Sequence, residues 1–383
     1  MVVDQIKIDK APTCLIIHKN DSKFVCFNIF VKNLRNPSKK PGLPHFIEHM
    51  IFDSSKDLPL GELDTQIETL GANTDGLTSY DFTLYRIVAK EESLEKTVSL
   101  MSHSIFNPLF TENDIEIEKK IIVDEFARKD FVNFDFVKNQ IHAQMFGLNT
   151  EYGNPIEGDI SIITRDDCIL YHEINYFPEN MLIVVSGNVE NQKITDIVKK
   201  YFTSDKTTEQ FIIPVDFEER NTGFEFENKD FYGIGFNFAP SYLSEESIVC
   251  TVLAQIIYAK TNRYVKEDFE KAKSKMYYSV QNWASPFVMV FKNDDIFSSK
   301  DLCKKALMEV IEGKIDNREI ENAKNKIIQD FITKNQNPDS LTYQIGQLYI
   351  RYGFSMIGDF SSLINDVSKE DIALIAKKYI KQF

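Results

Sequence analysis

The stretch that most restricts how this chain can fold is Gly42-Leu43-Pro44-His45-Phe46-Ile47-Glu48-His49-Met50. Two histidines four residues apart share a face only on a helix. The stretch therefore predicts a helix starting just before His45, with Pro44 in a first turn that tolerates proline. Both imidazoles can then reach one ion. Glu48, three residues from His45, is turned about sixty degrees to the other side of that histidine and can flank the pair without being a ligand. Zinc keeps a reactive position open when a protein supplies three His or carboxylate ligands and leaves the fourth to water. A third ligand must therefore come from elsewhere. In such a site the metal lowers the pKa of its water, a carboxylate takes the proton, and a peptide carbonyl is polarised. The competing reading is a chance histidine pair on an exposed helix.

Two carboxylates on one helix are candidates for that ligand, although carboxylates on a helix are usually solvated. Glu118 and Glu125 lie 125 − 118 = 7 residues apart, two turns along a helix predicted over Glu112 to Lys129. Their neighbours Ile121, Ile122, Val123 and Phe126 predict that this helix is largely buried. Periodicity leaves both glutamates open as ligands.

The 383 residues exceed one ordinary core and predict two domains. A net charge of −14, with lysine well ahead of arginine, argues against nucleic-acid binding. No apolar run approaches the roughly 20 residues that span a bilayer, and the N-terminus lacks an export pattern. The five cysteines, Cys14, Cys26, Cys168, Cys250 and Cys303, are scattered and never form Cys-x-x-Cys. They predict reduced, buried thiols in a cytoplasmic protein.

Along the chain, residues 14 to 32 read as a hairpin, two apolar runs split by Lys-Asn-Asp-Ser, with His18 structural. Leu60 to Leu70 reads as a helix stopped by Gly71, and Asp75 to Ala89 as one strand. Helices follow over 91–106, 112–129, 136–146 and 165–176, then a buried strand over 180–187 and a helix over 191–202. Residues 203 to 221 show no period and read as a linker. Beyond them come a strand (231–238), a helix (245–260), two strands (276–283 and 287–293) and helices from Lys300 onward. Two halves of similar element order predict duplication.

PGLPHFIEHMIF, LGANTDGLTSYDFTLYRI, ENDIEIEKKIIVDEF, YGNPIEGD and YFPENMLIVVSGNV resemble, in order, five blocks of the M16 family of zinc metallopeptidases, the pitrilysin and insulin-degrading-enzyme group that includes mitochondrial processing peptidase. The first is similar to the family's inverted zinc motif. The resemblance implies one zinc per chain, with His45 and His49 as ligands and Glu48 as base. It places the third ligand some three-quarters of a hundred residues past the second histidine, and 125 − 49 = 76 selects Glu125. It gives Glu118 a supporting role beside the ligands. The strand from Asp75 to Tyr85 resembles the family's sheet edge, where an extended peptide adds as a further strand. Asp75, Gly76, Leu77 and Thr78 are the expected substrate contacts, with Asp75-Gly76 where the family has Asn-Ala. In the more diverged second half, RYVKEDFEKAKSKMYYSVQ resembles the segment contributing an arginine and a tyrosine across the cavity. Tyr278 is expected to steady the oxyanion, and Lys271 to stand at the arginine's place.

The expectation is an α+β chain of two homologous domains, 1–205 bearing the zinc and 223–383 M16-like, joined by a linker over 206–222. Each is a mainly antiparallel sheet with helices on one side, and the chain is half of a clamshell. The implied activity is endoproteolysis of short or unfolded peptides inside a dimeric chamber, including maturation of a dedicated precursor. The pair is a homodimer or a heterodimer with a second M16-type subunit, with neither nucleic acid nor membrane as partner. The alternative is a structural or partner subunit with little activity alone.

Overall fold

The computed structural model describes residues 2–33, 36, 38–128, 133–205, 223–238, 245–268, 273–281, 285–292 and 296–380. The expected linker, 206–222, lies outside the described residues. Before it the elements are β1 (Val3–Ile6), β2 (Thr13–His18), β3 (Val25–Lys32), α1 (Leu43–Phe52), α2 (Glu62–Thr69), β4 (Asn73–Thr78), β5 (Phe82–Ala89), α3 (Glu91–Phe106), α4 (Glu112–Arg128), α5 (Phe134–Phe146), α6 (Arg165–Asn175), β6 (Met181–Gly187) and α7 (Asn191–Phe202). After it come β7 (Phe224–Glu227), β8 (Phe231–Asn237), α8 (Glu245–Asp268), β9 (Lys273–Tyr278), β10 (Pro286–Lys292), α9 (Ile296–Ile311), α10 (Asn317–Lys334), α11 (Pro338–Tyr352), α12 (Phe360–Asp366) and α13 (Lys369–Tyr379).

Two α+β units result, and they are not two consecutive halves of the sequence. Met1–Lys129, Pro155–Ile213 and Lys334–Ile350 form unit one; Asp130–Asn154, Pro214–Thr333 and Arg351–Phe383 form unit two. Each half of the chain thus gives one helical segment to the other unit, a swap that the division at 206–222 does not contain.

Unit one is built on a sheet of order β1-β2-β6-β3-β5-β4, antiparallel except for the parallel pair β2–β6. The hairpin expected over 14–32 is corrected here, because β6 stands between β2 and β3 and pairs with both. The reason is chemical: β6, MLIVVSG, is buried along its whole length and belongs inside a sheet. The single strand expected over 75–89 is corrected to a hairpin. Ser79 N–H donates to Phe82 O at 2.8 Å, turning the chain so that of the two strands β4 lies at a sheet edge and β5 inside it. Strand alternation directs Val25, Phe27, Ile29 and Val31 of β3 into a core shared with Leu43, Phe46, Ile47 and Met50 of α1. Asn28 and Phe30 face the other way and meet α11. Asn28 Nδ2 donates to Thr342 Oγ1 at 2.8 Å, and a Cβ on Gly346 would fall 2.2 Å from the Phe30 ring. His18 is structural, its Nε2 lying 3.0 Å from Asp4.

Unit two carries an antiparallel sheet of order β7-β8-β10-β9. In β8, Gly233 and Gly235 face α5, where Cβ atoms would stand 2.5 Å from Val137 and 2.6 Å from Ile141. These two glycines admit α5 against the strand. Tyr232, alternating to the opposite face, meets α9 through Lys300, whose Nζ is 5.8 Å from the ring centroid.

Candidate metal centre

Helix α1 is fixed at its start by backbone packing. Gly42 adopts φ +89°, and a Cβ there would stand 2.2 Å from Glu157 O, so no other residue fits. Leu43, Phe46, Ile47, Met50 and Ile51 recur at helical spacing and are buried in the unit-one core. This anchoring turns His45 and His49 away from the core as a pair. Their ring centroids are 4.6 Å apart at 73°, and their Nε2 atoms are 3.3 Å apart.

Helix α4 brings the carboxylates. Glu125 Oε2 lies 3.8 Å from His49 Nε2, and one ligand atom from each of His45, His49 and Glu125 falls within 4.8 Å of the others. Glu118 Oε1 is 2.7 Å from His49 Nδ1, so Nδ1–H donates to the carboxylate and Nε2 offers its lone pair to the cluster. The expectation that α4 is buried is corrected: Ile122 is buried, while Ile121 and Val123 are about half exposed. The helix therefore has one inward face, which carries Glu118.

The donor set fits zinc. Two ligands at the ordinary Zn–N length of about 2.0–2.1 Å in a tetrahedron stand roughly 3.3–3.4 Å apart, which is the separation of the two imidazole nitrogens here. Two neutral imidazoles and one carboxylate make a catalytic-type set that leaves a coordination position open. Burial pushes the His49 pKa down, but the Glu118 hydrogen bond and the charges of Glu118, Glu48 and Glu125 outweigh it and leave it raised.

Glu48 projects from α1 to the strand side of the pair and is only 8% exposed. Thr78 Oγ1 donates to its Oε2 at 2.6 Å, and Gly76 leaves room for its Oε1. Burial pushes its carboxyl upward, the Thr78 bond and His49 hold it down, and Asp75 and Glu125 push it up again; it ends raised. Asp53, at the end of α1, is pushed up to about 7 by burial and by the charges of Glu118 and Asp114.

Of the four expected substrate contacts, Asp75, Gly76, Leu77 and Thr78 all lie in edge strand β4. Asp75 is engaged within the unit. Its Oδ1 accepts from Gly76 N–H at 3.0 Å, and its Oδ2 lies 3.3 Å from Arg86 Nη1, while Arg86 also pairs with Asp339 of α11. Leu77 pairs across the hairpin with Leu84. Arg86 and Asp339 were not singled out in the sequence. A turn recognised at 79–81 sets Asp75 opposite Arg86 and would have pointed to the first; Asp339 lies too far along the chain for any local signal.

Two residues were expected across the cavity. Lys271 lies outside the described residues. Tyr278 is in unit two, with its ring 6.0 Å from Phe238 and 6.4 Å from Phe287 and its hydroxyl buried. Alternation along β9 sends Tyr277 to the other face, where Lys138 lies over its ring. All five cysteines are free and buried.

Residues 15–159 match the family described as insulinase (peptidase family M16), and residues 163–327 match the peptidase M16 inactive domain. The chain is 22% identical over 370 residues to zinc protease PqqE of Helicobacter pylori, covering 89% of this chain and 81% of that one. Cytochrome b-c1 complex subunit 1 of Mus musculus is 27% identical over 196 residues, 50% of this chain and 41% of that one. The crystal structure of a protease from Helicobacter pylori shares the fold with a TM-score of 0.86 at 17% identity, over 99% of this chain and 96% of that one. With both halves matched in order and the fold shared end to end, the chain belongs to peptidase family M16.

Proposed function

We propose that this chain is a zinc-dependent endopeptidase for extended or unfolded peptides. The observation that carries the reading is the cluster of His45, His49 and Glu125 beside a buried, hydrogen-bonded Glu48. His45, His49 and Glu125 would hold one zinc, with Glu118 steering His49 through Nδ1. A bound zinc supplies Lewis acidity, bringing the pKa of water toward neutrality and polarising the scissile carbonyl. Glu48 accepts a proton from the attacking water as the new C–O bond forms, then returns it to the departing amine as the C–N bond breaks. Edge strand β4 offers main-chain groups to which an extended peptide can add, its Asp75 carboxylate held by Arg86.

Closure of two such chains around a peptide chamber, as a homodimer or with a second M16-type subunit, belongs to the same proposal, as does a cytoplasmic location, which the free thiols support. No helix among the described residues is long and apolar enough to cross a membrane. A partner subunit with little activity alone is the second reading, favoured by the likeness to a subunit of the cytochrome b-c1 complex.

Metal analysis and cleavage of a peptide library by wild type and Glu48→Gln separate the two. The peptidase reading expects about one zinc per chain, cleavage by wild type and roughly 10²–10⁴-fold slower cleavage by the variant. A purified chain that holds no zinc and cleaves nothing, alone or with a second M16-type subunit, would sink it. Sizing the purified chain decides whether it pairs with itself.

A further inference from the structure

We propose that Thr78 is a positioning residue for Glu48, leaving Oε1 as the carboxylate atom that takes the proton; the inference rests on the peptidase reading above. Strand alternation puts residues 76 and 78 on the same face of β4. That face is turned to α1: Thr78 Oγ1 donates to Glu48 Oε2 at 2.6 Å. Two residues earlier, a Cβ on Gly76 would stand 2.2 Å from Glu48 Oε1 and 2.8 Å from its carboxyl carbon. One residue holds the first oxygen, and the other clears space for the second.

Backbone conformation does not call for this glycine. Gly76 is not among the glycines with positive φ, so its main chain accepts a side chain. The three nearest atoms that such a side chain would meet all belong to Glu48. The carboxylate therefore rests directly on this part of β4. The hydroxyl at position 78 completes the seat, because a carboxylate with one oxygen engaged no longer turns freely and presents the other in a fixed direction. A base gains rate from orientation as well as from basicity. β4 is also the edge strand that the proposed reaction offers to the peptide. A single strand would then align the substrate by its free edge and the base by its inner face.

The test uses full-length, zinc-loaded wild type, Thr78→Val and Thr78→Ser. Thr78→Val is nearly isosteric and deletes the donor; it is expected to lower kcat about 10- to 100-fold, the scale of one hydrogen bond to an ionised group. KM and zinc affinity by chelator competition are expected to stay within about 2-fold, since neither depends on the aim of the base. Thr78→Ser should recover most of the rate. Wild-type kcat in Thr78→Val, or a loss that merely follows zinc occupancy, would overturn the proposal. Crystal structures of zinc-loaded wild type and Thr78→Val give a readout independent of turnover. Glu48 is expected in one orientation on Thr78 in the wild type and turned or split in the variant; an unmoved carboxylate overturns the positioning role. A wild type that cleaves nothing would instead sink the peptidase reading, leaving the crystallographic comparison to decide this one.

Discussion

Glu48 and Glu118 sit on either side of His49 and differ in what they touch. Glu118 is spent on the histidine's Nδ1, whereas Glu48 is held by a threonine on a neighbouring strand. Their neutral isosteres should therefore fail in different ways. Glu48→Gln is expected to keep its zinc and lose roughly 10²–10⁴-fold in kcat, read from metal content and turnover on one sample. Glu118→Gln is expected to weaken zinc binding about 10- to 100-fold, read by chelator competition. A histidine away from this cluster ties stability to acid. His142 of α5 is 4% exposed, and burial, reinforced by the positive charge of Lys138, lowers its pKa to about 3. The unfolded chain takes up this proton near pH 6.5, before the folded one does, so stability is lost as pH falls below that value toward about 3. From pH 7 to pH 5 this one group should cost about 2 kcal/mol. Urea unfolding at both pH values should show a smaller acid loss, by about that amount, in His142→Gln than in wild type; equal losses would refute it.

At the scale of elements, helix α1 rests on a glycine whose role is legible only in three dimensions. Gly42, Gly61 and Gly71 all have positive φ, but a Cβ meets backbone at Gly42 and open space at the other two. Gly61→Ala and Gly71→Ala are expected to cost about 1–2 kcal/mol each, the left-handed penalty alone. Gly42→Ala should cost at least about twice that and weaken zinc binding too, because His45 lies in the first turn that would shift; thermal midpoints and chelator competition would show both effects. The helix itself was readable in sequence, since two histidines at i and i+4 have one sensible geometry. Choosing between Glu118 and Glu125 was not a matter of period, because both lie on one side of α4 and only the ring nitrogen each one approaches distinguishes them. The β4–β5 hairpin was hidden for a different reason. Ser79-Tyr80-Asp81 contains neither Gly nor Pro, and its turn is made by Ser79 groups bonding Phe82, which an apolar run does not announce. The place of β6 between β2 and β3 was hidden as well, since a short apolar strand reveals that it is buried but not beside which strands.

For the whole molecule, the exchange of segments between the two units sets what can fold alone. A fragment covering 1–205 includes six strands of unit one but lacks α11, which in the full chain lies over Asn28 and Phe30 of β3. That face of the sheet carries a phenylalanine that is fully buried and an amide whose donor is taken by Thr342. Uncovering them exposes apolar surface and strips a buried polar group of its partner, each a recognised route to losing stability. The same fragment keeps α5, whose Val137 and Ile141 fit against Gly233 and Gly235 of a strand it no longer has. Residues 1–205 alone are therefore expected to unfold without cooperativity and to bind zinc poorly. The same fragment joined through a flexible linker to 334–350 should recover a cooperative transition and zinc binding, because the missing cover has been returned to its own sheet. Circular dichroism melts and zinc titrations of the two proteins make the comparison. A cooperative, zinc-binding 1–205 would show that α11 is dispensable to the unit it is packed on.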